Sequence, residues 1–204
     1  MILKHHFFWF KSVIPERICD EVIAAGMEAK SIRGLTGGLE KTKLDDKGLK
    51  NLKKKRNSHI AWMNHPWLYN LFVPYVLDAN KQAGWNYEIE KSEDCQFTIY
   101  KGDDEQHYDW HADCKEEPYK ENGLMRKLSV TVSLSDPKDY IGGELEFDYR
   151  DNDPAYPRHT HICKEILPKG SLVVFPSFVW HRVRPVLRGT RMSLVIWNLG
   201  KPWK

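Results

Sequence analysis

A mainly β fold with N-terminal helices is predicted for this chain by three features of its sequence. Helical periodicity is confined to roughly the first ninety residues. From about residue 94 the apolar residues recur at every second position, in short runs punctuated by Gly and Pro. No helical segment separates those runs, whereas parallel strands need long crossovers. Several short strands joined by turns argue for an antiparallel sandwich or barrel. The 204 residues suit one domain, 1–204, with helical support over 1–90 and a β core over 91–200. A chain of this size buries a core without disulfides or metal to hold it together.

Residues 1–14 are aromatic and β-prone and read as one strand. "PERICDEVIAAGMEAK" (15–30) opens on a proline and early acids and sets Ile18, Val22 and Ala25 on one side, which predicts a helix. Residues 31–56 combine glycines with many lysines and little apolar content. They read as a long mobile loop, either a solvated segment or a lid over the site. "HPWLYNLFVPYVLDANKQAG" (65–84) places Pro66 in a first helical turn and ends on Gly84, giving one or two helices interrupted near Pro74. In "QFTIY" (96–100), Gln96, Thr98 and Tyr100 alternate with Phe97 and Ile99. In "KLSVTVSLS" (127–135), Leu128, Val130, Val132 and Leu134 oppose Ser129, Thr131 and Ser133. The stretches 142–149, 165–176, 178–183 and 191–199 are further short strands.

The charge balance, 31 Lys and Arg against 28 Asp and Glu, leaves +3, too little to argue for nucleic acid. Lys50, Lys53, Lys54, Lys55 and Arg56 are nevertheless concentrated in "KNLKKKR" (50–56). Cys19, Cys95, Cys114 and Cys163 form no CxxC pair, which argues against a zinc knuckle or a thioredoxin-like motif. The N-terminal stretch "MILKHHFFWFK" is broken by Lys4, His5 and His6 and does not read as a secretory signal. No run approaches 18 apolar residues. The expectation is a reducing, cytoplasmic setting with free thiols and no membrane partner.

"YDWHADC" (108–114) sets His111 and Asp113 two residues apart, so both project to one side of an extended segment. A non-haem Fe(II) site needs two histidines and one carboxylate on one face of an octahedron, with the other positions open. A distant second histidine is therefore required. His181, between apolar residues in "FPSFVWHRVRPV", is the best candidate. His107, in a charged loop, and His159 and His161, in a Pro-rich connection, remain rivals. Arg191 follows His181 by ten positions across "VLRGT" (186–190), which reads as two neighbouring strands joined by a Gly-containing hairpin. Arg191, Ser193, Val195 and Trp197 share one face of that second strand, and Met192, Leu194 and Ile196 share the other. A buried arginine is costly without an anion, and its planar fork suits a carboxylate. The anion is either an internal Asp or Glu or an anionic cosubstrate.

The segments "QFTIYKGDDEQHYDWHADC", "RKLSVTVSLSDPKDYIGGELEF" and "GSLVVFPSFVWHRVRPVLRGTRMSLVIWNLG" together resemble the Fe(II)- and 2-oxoglutarate-dependent dioxygenases. The match is to the prolyl 4-hydroxylase-like (PKHD-type) branch with its bacterial and phage members. The ordered set is Tyr, Tyr-x-x-His-x-Asp, Gly-Gly-Glu, His-x-Val-x-Pro-Val and Gly-x-Arg-x-Ser, and it covers about 94–200, with the first ninety residues matching only loosely. The resemblance implies a double-stranded β-helix, a cupin-like jelly-roll barrel forming the catalytic core over 91–200. It implies His111, Asp113 and His181 as iron ligands. It also implies Arg191 as partner of the distal carboxylate of 2-oxoglutarate, with Tyr100 and Ser193 hydrogen-bonding the same cosubstrate. Fe(II), 2-oxoglutarate and O₂ are the implied cofactor set, with ascorbate as an accessory. Many collagen-type members carry Lys where this chain has Arg191, and Arg serves in other branches, so the departure bears on subfamily and not on activity. Tyr108 is either a wall of the substrate mouth or a packed strand residue, and Trp110 and Trp180 flank the ligands as pocket walls. Gly142, Gly143 and Glu144 read as a turn feeding a strand. Cys114 adjoins a ligand, but a fourth protein ligand would occupy a coordination position the chemistry needs.

The function the resemblance implies is hydroxylation of a C–H bond, foremost on a prolyl residue of a protein or peptide. Two other classes stay open. One is an oxygenase acting on nucleic acid, or on a free amino acid or small metabolite, with the Lys50–Arg56 cluster supporting the nucleic-acid case. The other is a non-catalytic cupin-like binding module, against which the intact set of ligands and Arg191 argues.

Overall fold

The computed structural model describes residues 3–34, 46–149 and 159–203. In chain order the elements are β1 (Phe8–Phe10), α1 (Glu16–Glu28), β2 (Ile32–Arg33), α2 (Asp46–Lys55), β3 (Arg56–Asn57), β4 (His59–Met63), α3 (Pro66–Gln82), β5 (Lys91–Ser92), β6 (Cys95–Lys101) and β7 (His107–His111). They continue with β8 (Met125–Ser133), β9 (Tyr140–Gly142), β10 (Leu145–Asp148), β11 (Thr160–Ile162), β12 (Leu172–Pro176), β13 (Trp180–Val183) and β14 (Val186–Gly200). The larger sheet runs β1-β12-β8-β14-β6-β4-β2, with β5 and β9 attached to opposite ends of β14. The smaller runs β11-β10-β13-β7-β3. Every pairing is antiparallel. The fold is therefore the mainly β one with N-terminal helices that the alternating pattern predicts. No helix of the described residues is long and apolar enough to cross a membrane.

The period-two pattern sorts the larger sheet into two faces. Phe97, Leu128, Val130, Val132, Leu172, Val174, Leu194 and Ile196 point outward and pack beneath α1 and α3. The helices answer with Cys19 and Val22 from α1 and Leu68, Phe72, Val76 and Ala79 from α3, at the spacing that puts side chains on one helical stripe. Each fully buried aliphatic or aromatic side chain stabilises by about 1.5–3 kcal/mol. The opposite face carries Gln96, Thr98, Tyr100, Ser129, Thr131, Ser133, Arg191 and Ser193. All of these are buried, because this face looks into the barrel and not into water. At the closed part of the interior, Tyr100, Val173 and Phe175 meet Leu145, Phe147 and Val183 of the smaller sheet.

Five sequence expectations change. The loop expected over 31–56 holds β2 and the whole of α2, and residues 35–45 lie outside those described. Lysine is a good helix former, and Lys53, Lys54 and Lys55 in the last turn suit the negative end of the helix dipole, while Leu52 is buried. The expected break at Pro74 does not occur, because α3 runs through it from Pro66 to Gln82. The buried stripe on both sides of Pro74 holds the helix together despite the lost hydrogen bond. Among the described residues the strand expected over 1–14 is only Phe8–Phe10, and the one expected over 165–176 is only Leu172–Pro176, after a 3-10 turn at Lys164–Ile166. Finally, 186–190 is not a hairpin turn. It is the first part of β14, kinked by a register shift between Val186 and Arg188 against β9. The chain passes from the smaller sheet to the larger one between β13 and β14, so His181 and Arg191 stand in facing sheets.

At Gly26, α1 lies close against the sheet: a Cβ there would come within 2.5 Å of Phe97 Cδ1. Helix propensity alone favours Gly26→Ala by about 1 kcal/mol. Phe97 is fully buried and has nowhere to retreat, and overpacking costs about 1–3 kcal/mol. Gly26→Ala is expected to lower the urea midpoint, and a raised midpoint would show that the ring yields at no cost.

Candidate metal centre

The centre is assembled by the pairing of β7 with β13. His111, the last residue of β7, sits in register opposite His181. Asp113 lies just past the strand end, where its N–H donates to Ser177 O at 2.8 Å. The Nε2 atoms of His111 and His181 each lie 3.6 Å from one oxygen of the Asp113 carboxylate, Oδ1 and Oδ2 respectively. One donor atom from each of the three residues falls within 4.8 Å of the others.

The far side of each imidazole fixes its tautomer. His111 Nδ1 is 2.8 Å from Asp109 O, and His181 Nδ1 is 3.0 Å from Val179 O. A carbonyl only accepts, so Nδ1 carries the proton and Nε2 presents its lone pair inward. Burial first, then the neighbouring His181, pushes His111 down to about 3, which keeps the ring neutral and able to ligate. Burial alone would raise the Asp113 carboxyl, but the pull of the adjoining His181 and His111 rings and of the Arg126 guanidinium outweighs it and brings it down to about 2. Two neutral imidazole lone pairs and one carboxylate aimed at one point suit a divalent cation. Two-His-one-carboxylate is the donor set of non-haem Fe(II), so these residues fit that ion.

Asp113 Oδ2 accepts a hydrogen bond from Ser129 Oγ at 2.7 Å, and Ser129 Oγ lies 2.9 Å from Ser177 Oγ. Neither serine was singled out from the sequence. The alternation of "KLSVTVSLS" does set Ser129 on the polar face, but its meeting with Asp113 and Ser177 depends on the packing of the two sheets. Phe175 and Phe147 flank His181, at 4.7 and 6.4 Å between ring centroids, and keep that side apolar.

Arg191 and Tyr100 are in register on β14 and β6, 4% and 3% exposed, with the guanidinium carbon 5.6 Å from the phenol ring. Arg191 Nη1 donates to Ser193 Oγ at 3.3 Å. Among the described residues no carboxylate lies within ion-pair distance of Arg191. Burial pushes the Tyr100 phenol up, against the pull of Arg56 and Arg191, so it remains a hydrogen-bond donor. Tyr108 stacks on His111 at 3.5 Å between centroids. Trp110 lies under the Arg182 guanidinium at 4.7 Å, and Arg182 Nε reaches Glu146 at 2.7 Å. Half-buried Trp180 precedes His181 on β13. The rival histidines are engaged elsewhere. His107 lies between Glu105 O and Lys54 O at 2.8 and 2.9 Å, and His161 stacks on Phe7 beside Glu165. Cys114, like Cys19, Cys95 and Cys163, is a free thiol.

The pattern that describes the 2OG-Fe(II) oxygenase superfamily matches residues 95–198. A PKHD-type hydroxylase, YbiX, of Escherichia coli O157:H7 is 42% identical over 91 residues, which is 44% of this chain and 36% of that protein. The chain thus matches only about a third of that relative's length. Among solved structures, a Pseudomonas putida prolyl-4-hydroxylase is similar with a TM-score of 0.64 at 20% identity, covering 98% of this chain and 95% of that one. A viral collagen prolyl hydroxylase from Paramecium Bursaria Chlorella virus-1 gives 0.64 at 18% identity, covering 97% of each.

Ser129→Ala removes the donor that holds Asp113 Oδ2. Partners of metal ligands are typically worth about 10–100-fold in metal affinity. A fall of about tenfold is expected in a titration of the metal-free protein with Mn(II), read by the paramagnetic relaxation of water. An unchanged affinity would show that the Ser177 and backbone contacts suffice to hold the carboxylate.

Proposed function

The chain belongs to the 2OG-Fe(II) oxygenase superfamily, and from that premise we propose that it is an Fe(II)- and 2-oxoglutarate-dependent dioxygenase. Its substrate in this reading is a prolyl residue of a protein or peptide, hydroxylated at a C–H bond. One observation carries the reading: the inward-facing His111, Asp113 and His181 stand across the barrel from an inward-facing Arg191 that has Ser193 and Tyr100 beside it. The printed names of the relatives, PKHD-type and prolyl hydroxylases, support the choice of residue. The whole described chain then works as one domain, with the N-terminal helices bracing the larger sheet.

Bound Fe(II) supplies O₂ activation coupled to decarboxylation of 2-oxoglutarate to succinate and CO₂. The rest falls to this chain's own side chains. His111 and His181 offer unprotonated Nε2 atoms because the carbonyls of Asp109 and Val179 hold the Nδ1 protons. Ser129 fixes the carboxylate of Asp113. Arg191 grips the distal carboxylate of 2-oxoglutarate with its planar fork, and Tyr100 and Ser193 hydrogen-bond the same group. Burial of all three strengthens that grip by excluding water. Trp110 and Trp180 alternate with His111 and His181 on β7 and β13 and so stand on the other face of the smaller sheet, where Trp110 meets Arg182; they do not wall the substrate mouth as expected from the sequence. Tyr108, whose ring face is taken by His111, lends the mouth only an edge and the hydroxyl. A second reading, an oxygenase acting on nucleic acid, draws on exposed Lys50, Lys53, Lys54 and Lys55, since α2 is docked against β7 through β3.

Charge-assisted pairing is worth about 1.5–3 kcal/mol. Arg191→Ala is therefore expected to weaken 2-oxoglutarate binding by about ten- to a hundredfold, each factor of ten being about 1.4 kcal/mol. Arg191→Lys, which keeps the charge but not the fork, is expected to lose less. An unchanged 2-oxoglutarate titration of Arg191→Ala would reject this role.

Proline brings a flat apolar ring and a chain already stiffened towards the extended polyproline conformation, which lowers the entropy lost on binding. Succinate release is expected to be stimulated by Pro-containing peptides, with a +16 Da product, and not by the same peptides carrying Ala for Pro. Equal stimulation by both would sink the prolyl reading. Stimulation only by methylated single-stranded oligonucleotides would move the substrate to nucleic acid, and only by free proline to a small molecule.

A further inference from the structure

We propose that Arg56, with Tyr108 as intermediary, is a positioning residue for the metal site that sets the plane of the His111 imidazole. The inference rests on the reading of His111 as an iron ligand and extends it, through Tyr108, to Arg56, which lies outside the 95–198 segment that marks the family. Tyr108 and His111 are three apart in a strand, so regular alternation would send them to opposite faces. A bulge prevents this. His181 pairs with His111 and Val183 with Tyr108, so two steps along β13 span three along β7. The extra residue re-aims the ring, as bulges beside active sites do. Tyr108 consequently lies on His111 with centroids 3.5 Å apart and planes 12° from parallel.

His111 fills one face of the phenol ring, and the guanidinium of Arg56 lies over the ring with its carbon 4.5 Å from the centroid. Arg56 reaches this place because it pairs directly with Tyr108 between β3 and β7. It is 5% exposed, and its Nε donates to Ser58 Oγ at 2.9 Å. Gly34 makes the room. A Cβ on Gly34 would stand 2.7 Å from Arg56 Nε and 3.1 Å from Cζ, and the Gly34 N–H holds Ser58 O at 2.9 Å. The hydrogen bond from His111 Nδ1 to Asp109 O anchors one edge of the imidazole but leaves it free to rock about that edge. The stack removes that freedom, because Tyr108 cannot retreat from the imidazole without displacing a buried guanidinium. The Nε2 lone pair is thereby held on the line towards Asp113 and His181.

The test uses Co(II) added to the metal-free full chain, with the visible ligand-field spectrum and the affinity as readouts, independent of turnover. Arg56→Ala and Tyr108→Leu are each expected to shift the Co(II) bands and to weaken Co(II) binding by about tenfold, the lower end of what outer partners of metal ligands contribute. Tyr108→Phe, which keeps the stacked ring and drops the hydroxyl, is expected to retain both. Far-UV circular dichroism checks folding. If Arg56→Ala does not fold, Gly34→Ala displaces the guanidinium without removing it and should shift the same bands. A wild-type spectrum and affinity in a folded Arg56→Ala, or in Tyr108→Leu, would overturn the proposal. So would a Tyr108→Phe as impaired as Tyr108→Leu, because that would assign the effect to the hydroxyl. A wild-type spectrum in His111→Ala would instead reject His111 as a ligand, a failure of the underlying reading and not of the stack alone.

Discussion

The pairing of β7 with β13 is the constraint on which the rest of the site depends. It places two histidines far apart in sequence side by side and turns both Nε2 atoms towards one carboxylate. The backbone takes part directly. The carbonyls of Asp109 and Val179 hold the outer ring nitrogens, and Ser177 O receives the N–H groups of both Asp113 and Cys114. The geometry is thus tied to backbone at the end of β7 and in the tight turn between β12 and β13, and not to side chains on long loops.

A site of this kind needs polar groups inside a barrel, where an unpaired one is expensive. The chain meets the need by reversing the usual use of an amphipathic strand. On β6, β8 and β14 the apolar face is turned out and covered by α1 and α3, so the polar face is free to line the interior. The polar groups there satisfy one another: Gln96 with Thr98, Ser129 with Ser177 and Asp113, Arg191 with Ser193. Folding energy and chemistry are therefore supplied by opposite faces of the same strands.

The N-terminal region also does more than cover a sheet. β3 extends the smaller sheet next to the ligand-bearing strand, and Asn57 holds Asp104 while the His107 ring lies against Lys54 O at the end of α2. These contacts bring α2 and its lysines up against β7. They also deliver Arg56 to Tyr108, so the first ninety residues reach His111 through that ring.

Much of the fold was legible in the sequence because its signal is local. Strict alternation from residue 94 onward marked the strands, and Pro66 and Gly84 marked the ends of α3, although Pro74 misled about its continuity. The pairing of His111 with Asp113 was legible for the same reason, since two residues apart in an extended chain share a side. The sequence also told which residues share a face with Arg191. It did not tell that this face is interior: "QFTIY" and "KLSVTVSLS" would read the same on a sheet with one side in water. Nor could spacing choose His181 over His107, His159 and His161 or join Ser129 to Asp113. It could not show that Val186–Gly200 is one strand crossing to the other sheet, or that a bulge lays Tyr108 on His111. Each of these depends on which strands lie opposite which across the barrel. Register and sheet packing are set by the summed burial of many distant residues, and no local pattern encodes that sum.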